Sequence, residues 1–171
     1  THSSFVANKL GLGKVMLLDN LRITRFSELP EDTYNFFKKV AGYDTLRMIL
    51  CKKTILCEGD SDELVIQKAY MQLNDGRLPI EDGIEVISVG VSFLRFLEIA
   101  DCIQTKIAVV TDNDGDMAAI NKKYANYIGA KRKEYIKICV DDVVDTGTLK
   151  IGKSDYNYNT LEPKLLKVNG L

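Results

Sequence analysis

The chain has 171 residues, 46% of them hydrophobic and 27% charged, which suits one domain with an extra fragment and excludes a largely disordered chain. Its 23 basic and 24 acidic side chains leave a net charge of −1, so a nucleic-acid partner would need a local basic patch. Asp19 or Arg95 interrupts the longest apolar stretches, which excludes a bilayer-spanning segment, and no secretory signal is visible at the start.

The four cysteines show no CxxC spacing, and most of them lie in strand-like or helical surroundings. Their positions are Cys51, Cys57, Cys102 and Cys139. This pattern predicts reduced core residues of a cytoplasmic protein, with a zinc site as the weaker alternative.

The N-terminal part of the chain predicts small elements that need a larger partner. Strands are predicted at 15–18 and 21–26, with turn residues between them. A hairpin of this size does not fold alone, so it must pack on something else. Helices predicted at 30–41 and 44–50 have the character of a connector.

From Lys53 onward the pattern changes to alternating strands and helices. Short apolar runs predict strands at 54–57, 84–89, 107–110 and 135–140. Helical spacing predicts helices at 61–73, 92–100 and 116–128, followed much later by a polar loop at 156–159 and a last helix from Thr160. Repeated βα units predict an α/β fold whose mostly parallel sheet has helices on both faces. Such sheets bind ligands beyond the carboxyl ends of their strands.

The rest of the chain is organised around residues 106–116, which read KIAVVTDNDGD. An apolar strand here ends in three aspartates spaced two apart, Asp112, Asp114 and Asp116, and Gly115 allows a sharp turn among them. Carboxylates a few ångströms apart raise each other's pKa, so a cation is their natural partner. Hard oxygen ligands favour Mg²⁺, Mn²⁺ or Ca²⁺.

Two other interpretations of this acidic stretch compete with a catalytic metal site. A calcium loop of the EF-hand type needs glycine and glutamate where Met117 and Lys123 stand, and it follows a helix rather than a strand. The second alternative is a polar turn in which Asp114 or Asp116 caps the next helix.

A second predicted strand also ends in acidic residues, at 58–63 with the sequence EGDSDE. Asp60 and Glu63 have the spacing of a capping box, so helix capping explains them. Glu58 stands at the carboxyl end of the strand, where a parallel sheet places its ligands. Asp62 follows four residues later, in the first turn of the predicted helix.

Together these motifs resemble the Toprim domain, a Rossmann-like fold shared by topoisomerases, primases and some nucleases. The resemblance is carried by residues 58–63, by the Asp-x-Asp that ends the strand at 107–110, and by the strand-glycine-helix unit at 87–90. Residues 160–163, reading TLEP, resemble a motif of the overcoming-lysogenization-defect (OLD) family of ATP-dependent nucleases. The resemblance extends over residues 51–171.

The resemblance also implies roles for individual residues. Glu58, Asp112 and Asp114 match the principal metal-binding and catalytic acids of the family. Asp62 and Glu162 match further acidic ligands, while Asp116 either acts in the metal site through water or caps the helix. OLD nucleases use a lysine further downstream, a role that cannot be assigned to Lys164 or Lys167, so the isolated chain is expected to be weakly active or inactive.

The start of the chain fits the same family. Residues 1–5, reading THSSF, resemble the switch-histidine segment of ABC-type ATPases, which gives His2 an ATP-related role in a full-length protein. The domain prediction is therefore an ATPase remnant at 1–27, a helical connector at 28–50 and a Toprim domain at 51–171, truncated at its C-terminus. No Walker motif is present, so the chain alone is not expected to bind ATP in the ordinary way.

The resemblance implies a metal-dependent DNA endonuclease that uses Mg²⁺ or Mn²⁺, with two ions favoured by the surplus of acids and Ca²⁺ binding without supporting activity. Alternatives are a non-catalytic Toprim module that binds nucleic acid or assembles partners, and another Toprim enzyme of the topoisomerase or primase kind. The partners implied are DNA, an upstream ATPase domain of the same polypeptide and a second copy in a homodimer, without a membrane.

Contacts with the DNA backbone are predicted for a basic stretch in the second half of the chain, although such stretches are commonly just solvated surface. Its residues are Lys122, Lys123, Lys131, Arg132, Lys133 and Lys137, and Tyr124 and Tyr127 lie among them.

Overall fold

The computed structural model describes residues 12–19, 22–39 and 43–170. The chain divides into two compact units, Thr1–Ala108 and Val109–Leu171. The strands are β1 (Met16–Asp19), β2 (Arg22–Arg25), β3 (Lys53–Cys57), β4 (Ile84–Ser88), β5 (Lys106–Val110), β6 (Ile136–Cys139), β7 (Thr148–Ile151) and β8 (Ser154–Asn157). The helices are α1 (Glu31–Lys39), α2 (Tyr43–Leu50), α3 (Asp60–Leu73), α4 (Phe93–Ile103), α5 (Met117–Lys123) and α6 (Leu161–Val168).

The central sheet has four strands in the order β4-β3-β5-β6 and is parallel and flanked by helices. Strands β3 and β4 pair in register, with Leu56 opposite Ile87 and Cys57 opposite Ser88. Two antiparallel hairpins, β1–β2 and β7–β8, complete the described strands. The predicted α/β class is therefore confirmed, including the hairpin and the helices that precede the sheet.

Two elements differ from the sequence prediction. Helix α5 ends at Lys123 rather than at 128. The buried residues at 120, 124 and 127 have the spacing of one helical face, but Tyr124 and Tyr127 lie in the turns that follow the helix. The polar loop predicted at 156–159 is wrong for its first two residues, which belong to β8. Hairpin β7–β8 is mostly exposed and polar, so it lacks the alternation that marks a half-buried strand.

In the first unit the connector helices are packed into the structure rather than left as a spacer. The Phe37 ring on α1 meets the Phe96 ring on α4 edge-to-face, with centroids 5.2 Å apart. Arg95 donates to Thr33 Oγ1 at 2.9 Å, which adds a polar contact between the same two helices. Helix α2 is joined to β4 by a hydrogen bond of 2.7 Å from Arg47 Nε to a carboxylate oxygen of Glu85.

Hairpin β1–β2 exposes large apolar side chains. Met16, Leu18 and Ile23 are more than half exposed, whereas Phe26, immediately after β2, is fully buried. His2 lies outside the described residues, so its ATP-related role and the assignment of 1–27 to an ATPase stay predictions.

The second unit has its own apolar core. Val109 at the end of β5, Ile120 on α5, Tyr124 and Ile136 on β6 are buried in it. Thr111 N–H donates to the Cys139 carbonyl at 3.2 Å, which continues the pairing of β5 with β6 beyond the end of β5. The residues that follow β5 are therefore held at the carboxyl end of β6.

All four cysteines are free; Cys57 is buried and the other three are half-buried, so only Cys57 is a core residue as the sequence predicts. Burial is the main cause that raises the pKa of Cys57 to about 12, and the carboxylates of Asp62, Glu63 and Asp60 contribute, so this thiol stays protonated at neutral pH. Among the described residues, no helix combines the length and the apolar composition needed to cross a membrane.

The burial of the strand side chains predicts which leucine can be truncated without loss of stability. Leu56 is fully buried on β3, and Leu56→Ala should lower the free energy of unfolding by about 2–5 kcal/mol because it leaves a cavity. Leu64 on α3 is 69% exposed, and Leu64→Ala should change that free energy by about 0.5 kcal/mol or less. Urea denaturation of both variants measures the difference; equal losses would show that β3 is not a core strand.

Candidate metal centre

Glu58 follows directly after β3, and its backbone is held by the neighbouring strand. Its carbonyl accepts hydrogen bonds from Ser88 Oγ at 3.2 Å and from Gly90 N at 3.0 Å. The Glu58 residue itself is exposed. The end of β3 is thus fixed by β4, and Glu58 is exposed at the carboxyl end of a parallel strand, while its role as a metal ligand stays a prediction.

Asp62 caps the helix that begins after Glu58. Helix α3 starts at Asp60, and Asp62 Oδ2 accepts the Gly59 N–H at 2.8 Å. The predicted pairing of Asp60 with Glu63 is therefore wrong by one residue, because Gly59 rather than Asp60 precedes the helix. Glycine has no side chain to complete a capping box, so the cap depends on the Asp62 carboxylate alone.

The three aspartates after β5 lie on a tight turn, residues 112–116, which we call the acidic turn. Asp114 and Gly115 both have positive φ, 49° and 81°, in the left-handed region. The Asp116 N–H donates to the Asn113 carbonyl at 2.8 Å and closes the turn. Asp114 and Asp116 are exposed and Asp112 is half-buried.

Asp116 has a structural role that the sequence left as one of two alternatives. Its Oδ1 accepts the Ala119 N–H at 2.9 Å, which is the N-terminal capping bond of α5. Capping accounts for an aspartate at this position, and its predicted part in the metal site stays a prediction.

Asp112 makes the longest-range contact of the acidic turn. Its Oδ2 accepts the Leu161 N–H at 3.0 Å, although the two residues are 49 positions apart. Leu161 is the first residue of α6, so Asp112 caps this helix. Thr160 occupies the N-cap position, but its hydroxyl makes no capping bond. Glu162 is exposed and directly follows Leu161, the residue that Asp112 contacts.

The loop after β6, residues 140–147, brings two aspartates to α6 that the sequence did not single out. Asp141 pairs with Lys164, and Asp145 pairs with Lys167. The bond from Lys164 is the main cause that lowers the pKa of the Asp141 carboxyl, and the bond from Lys167 lowers the pKa of Asp145 in the same way. The two lysines without an assigned catalytic role are thus both engaged with this loop.

A local signal could have identified these two aspartates. Each accepts a backbone N–H two residues on: Asp141 from Val143 at 2.9 Å, and Asp145 from Gly147 at 2.8 Å. Such turns are typical of aspartate in polar loops.

The donor set suits a hard cation, because every candidate ligand is a carboxylate. Within the described residues, however, no three histidine, cysteine or acidic side chains are grouped closely enough to hold a metal ion. Glu58 and Asp62 belong to the first unit, and the other four candidates, Asp112, Asp114, Asp116 and Glu162, belong to the second. Their convergence on one ion therefore stays a prediction.

The basic stretch lies between α5 and β6 in the second unit. Lys122, Lys131, Arg132 and Lys137 are exposed, while Lys123 and Lys133 are half-buried. Tyr124 and Tyr127 are 0% and 9% exposed, so neither ring is available at the surface to a nucleic-acid base. The candidate surface is therefore one of positive charge without aromatic stacking.

Residues 49–114 match a protein-family model described as the TOPRIM domain of overcoming lysogenization defect protein-like proteins. A search of curated proteins found no match, and neither did a search of solved structures. The matched segment runs from α2 to the acidic turn and includes Glu58, Asp62, Asp112 and Asp114.

The fold and the match together define a Toprim domain. The match at residues 49–114 supports a Toprim domain of an OLD-family protein, which confirms the resemblance drawn from the sequence and indicates a nucleic-acid-related, metal-binding function. The TLEP motif at 160–163 lies beyond the matched segment.

The capping of α6 by Asp112 predicts that two variants of Asp112 differ in the stability of this helix. Asp112→Ala removes the acceptor of the Leu161 N–H, so the first turn of α6 should lose about 1 kcal/mol of stability. Asp112→Asn retains an acceptor oxygen of the same reach and should preserve most of that stability. Amide hydrogen exchange at residues 161–164 measures both effects; unchanged exchange in Asp112→Ala would show that the contact does not stabilise α6.

Proposed function

We propose that this chain carries the nuclease part of an OLD-family ATP-dependent nuclease and hydrolyses DNA phosphodiester bonds as an Mg²⁺- or Mn²⁺-dependent endonuclease. The observation that carries the proposal is the OLD-like Toprim match at residues 49–114. That segment contains Glu58 and ends at Asp114, so it spans the acids that end β3 and β5.

Glu58, Asp112 and Asp114 are proposed as the principal metal ligands, with Asp62 and Glu162 as further ones. Two bound divalent ions, about 3.5–4 Å apart, would activate a water and neutralise the leaving oxyanion. Each of these carboxylates lies near a turn or near the start of a helix. The first backbone N–H groups of a helix have no acceptor within the helix.

The contact of Asp112 with α6 supports its place in such a site. The N-terminus of a helix carries partial positive charge, which favours the ionised form of a carboxylate. The same contact brings Glu162, the next residue of α6, to the region of Asp112.

DNA is the proposed substrate, with the exposed basic side chains at Lys122, Lys131 and Arg132 as contacts for its phosphates. Lys123 and Lys133 belong to the same proposed surface but are less exposed. The net charge of the chain is only −1, so local charge on this surface can outweigh the weak repulsion between the whole chain and DNA.

The family resemblance supports three further parts of the proposal. Residues 1–5 suggest an ATPase domain of the same polypeptide ahead of the hairpin, with His2 acting in ATP hydrolysis there. We propose a homodimer as the assembly and the cytoplasm as the location. The downstream catalytic lysine of the family has no assigned counterpart in this chain.

The site predicts a metal response that depends on Asp114. Mn²⁺ should raise the melting temperature of the wild type, since a ligand at 100 times its Kd stabilises the folded state by about 2.7 kcal/mol. Asp114→Asn should abolish most of that rise together with Mn²⁺-dependent cleavage of plasmid DNA. Asparagine tolerates the left-handed backbone at Asp114, so the change removes charge without straining the turn.

Asp75 provides the matched control for this experiment. It is also an exposed aspartate with positive φ, 52°, and it is not a candidate ligand. Asp75→Asn should keep the full response to Mn²⁺. A wild type that shows no response to Mn²⁺ would overturn the metal site.

Glu162 gives a second test of the proposed ligand set. If Glu162 serves the metal site, Glu162→Gln should reduce cleavage about tenfold or more. If it only complements the N-terminus of α6, the change should cost a few tenths of a kcal/mol and spare activity. Should the wild-type chain prove inactive, a crystal soaked in Mn²⁺ decides directly, and Glu162 oxygens more than about 6 Å from every ion would refute the assignment.

A further inference from the structure

Asn113, in the middle of the acidic turn, is a buried side chain to which neither the sequence argument nor the proposed function assigns a role. It is only 1% exposed, whereas Asp114 beside it is exposed. Its Oδ1 accepts the Gly115 N–H at 2.9 Å. This bond spans Asp114, so the side chain of Asn113 closes a ring around the residue proposed to bind metal.

The other end of the same amide is attached to the loop after β6. Asn113 Nδ2 donates to the Asp141 carbonyl at 2.8 Å and to the Val143 carbonyl at 3.0 Å. An asparagine amide has two N–H donors, and both are used here while the oxygen holds the turn. One buried side chain thus joins the acidic turn to the loop whose aspartates pair with the lysines of α6.

The direction of the Asp114 side chain depends on the local backbone. A non-glycine residue with positive φ occupies a sparsely populated conformation and persists only when its surroundings hold it there. Two described hydrogen bonds span this residue, one from the Gly115 N–H to Asn113 Oδ1 and one from the Asp116 N–H to the Asn113 carbonyl. Replacing the Asn113 side chain removes the first of them, so the backbone at Asp114 loses one of the two bonds that hold it and the Asp114 carboxylate is placed less firmly.

We propose that Asn113 is a positioning residue that fixes the direction of the Asp114 carboxylate for metal binding and anchors the acidic turn to the loop 140–147. The metal-binding part of this inference rests on the proposed function. The Gly115 N–H contact sets the turn, and the two contacts with backbone carbonyls set its place against the loop.

Asn159 offers a comparison within the same unit. It is also buried, at 4% exposure, and its amide both donates to the Asp145 carbonyl at 2.9 Å and accepts the Asp145 N–H at 2.7 Å. Asn159 therefore anchors the loop at Asp145, and none of these bonds spans Asp114. Its side chain also lies against Gly115, so its replacement removes the loop anchor and a packing contact of the acidic turn but keeps the bond from the Gly115 N–H to Asn113.

The test measures Mn²⁺ binding by electron paramagnetic resonance. The temperature is one at which the circular dichroism spectrum shows that every variant is folded. Asn113→Ala should weaken Mn²⁺ binding by about 10- to 100-fold, the range seen when residues that orient metal ligands are removed. Asn113→Ser should recover most of the affinity, because a serine hydroxyl can accept an N–H two residues on. Asn159→Ala should lower the melting temperature and weaken Mn²⁺ binding less than Asn113→Ala does, because it keeps the bond from the Gly115 N–H to Asn113.

The same variants should separate the two contacts of Asn113 by amide exchange. The Gly115 amide should exchange faster in Asn113→Ala and recover in Asn113→Ser. The loop 140–147 should lose protection in both variants, since serine is too short to reach the two carbonyls.

Two outcomes would overturn the inference, and they differ from failure of the proposed function. Wild-type Mn²⁺ affinity in Asn113→Ala would show that the residue only stabilises the fold. Equal affinities in Asn113→Ala and Asn113→Ser would show that the bond to Gly115 does not position the ligand. If the wild type binds no Mn²⁺, the proposed metal site and the metal-binding part of the inference both fail, and the exchange of Gly115 then decides whether Asn113 sets the turn.

Discussion

The hydrogen bond from Leu161 N–H to the Asp112 carboxylate is the contact on which the arrangement of the second unit depends. It joins residues 49 positions apart, and hairpin β7–β8 and the loop 140–147 lie between them in the sequence. A carboxylate suits this position because the first N–H groups of a helix have no acceptor within the helix itself. The end of β5 and the start of α6 are therefore joined through Asp112, which is also one of the candidate metal ligands.

Buried amides contribute more to this arrangement than the ion pairs that accompany them. The pairs of Lys164 with Asp141 and of Lys167 with Asp145 are partly exposed, and exposed ion pairs contribute little to stability because water screens them. Asn113 and Asn159 are buried and fully engaged, so removing either would leave backbone groups without partners. The ion pairs add long-range attraction between α6 and the loop, while the two asparagines determine where the loop attaches.

The sequence predicted the α/β class, the parallel strands and the acidic residues at the strand ends, because each depends on local patterns of hydrophobicity and turn residues. It could not predict that Asp112 caps α6, since Thr160 offers an equally good local cap and only the tertiary structure chooses between them. Hairpin β7–β8 was missed because its pairing involves mostly exposed residues. Asn113 carried no signal either, as asparagine is ordinary in a polar turn.

Glu58 and Asp112 both follow parallel strands, yet their surroundings order their side chains to different degrees. Glu58 is exposed and its described hydrogen bonds involve its backbone, so a long side chain must lose rotamer freedom when it binds. Asp112 is already oriented by Leu161, and Asp114 sits on a backbone turn held by Asn113. Binding is stronger when ligands are ordered beforehand. Of the proposed ligands, Asp112 and Asp114 are therefore the ordered ones, and Glu58 is the one whose binding would cost side-chain entropy.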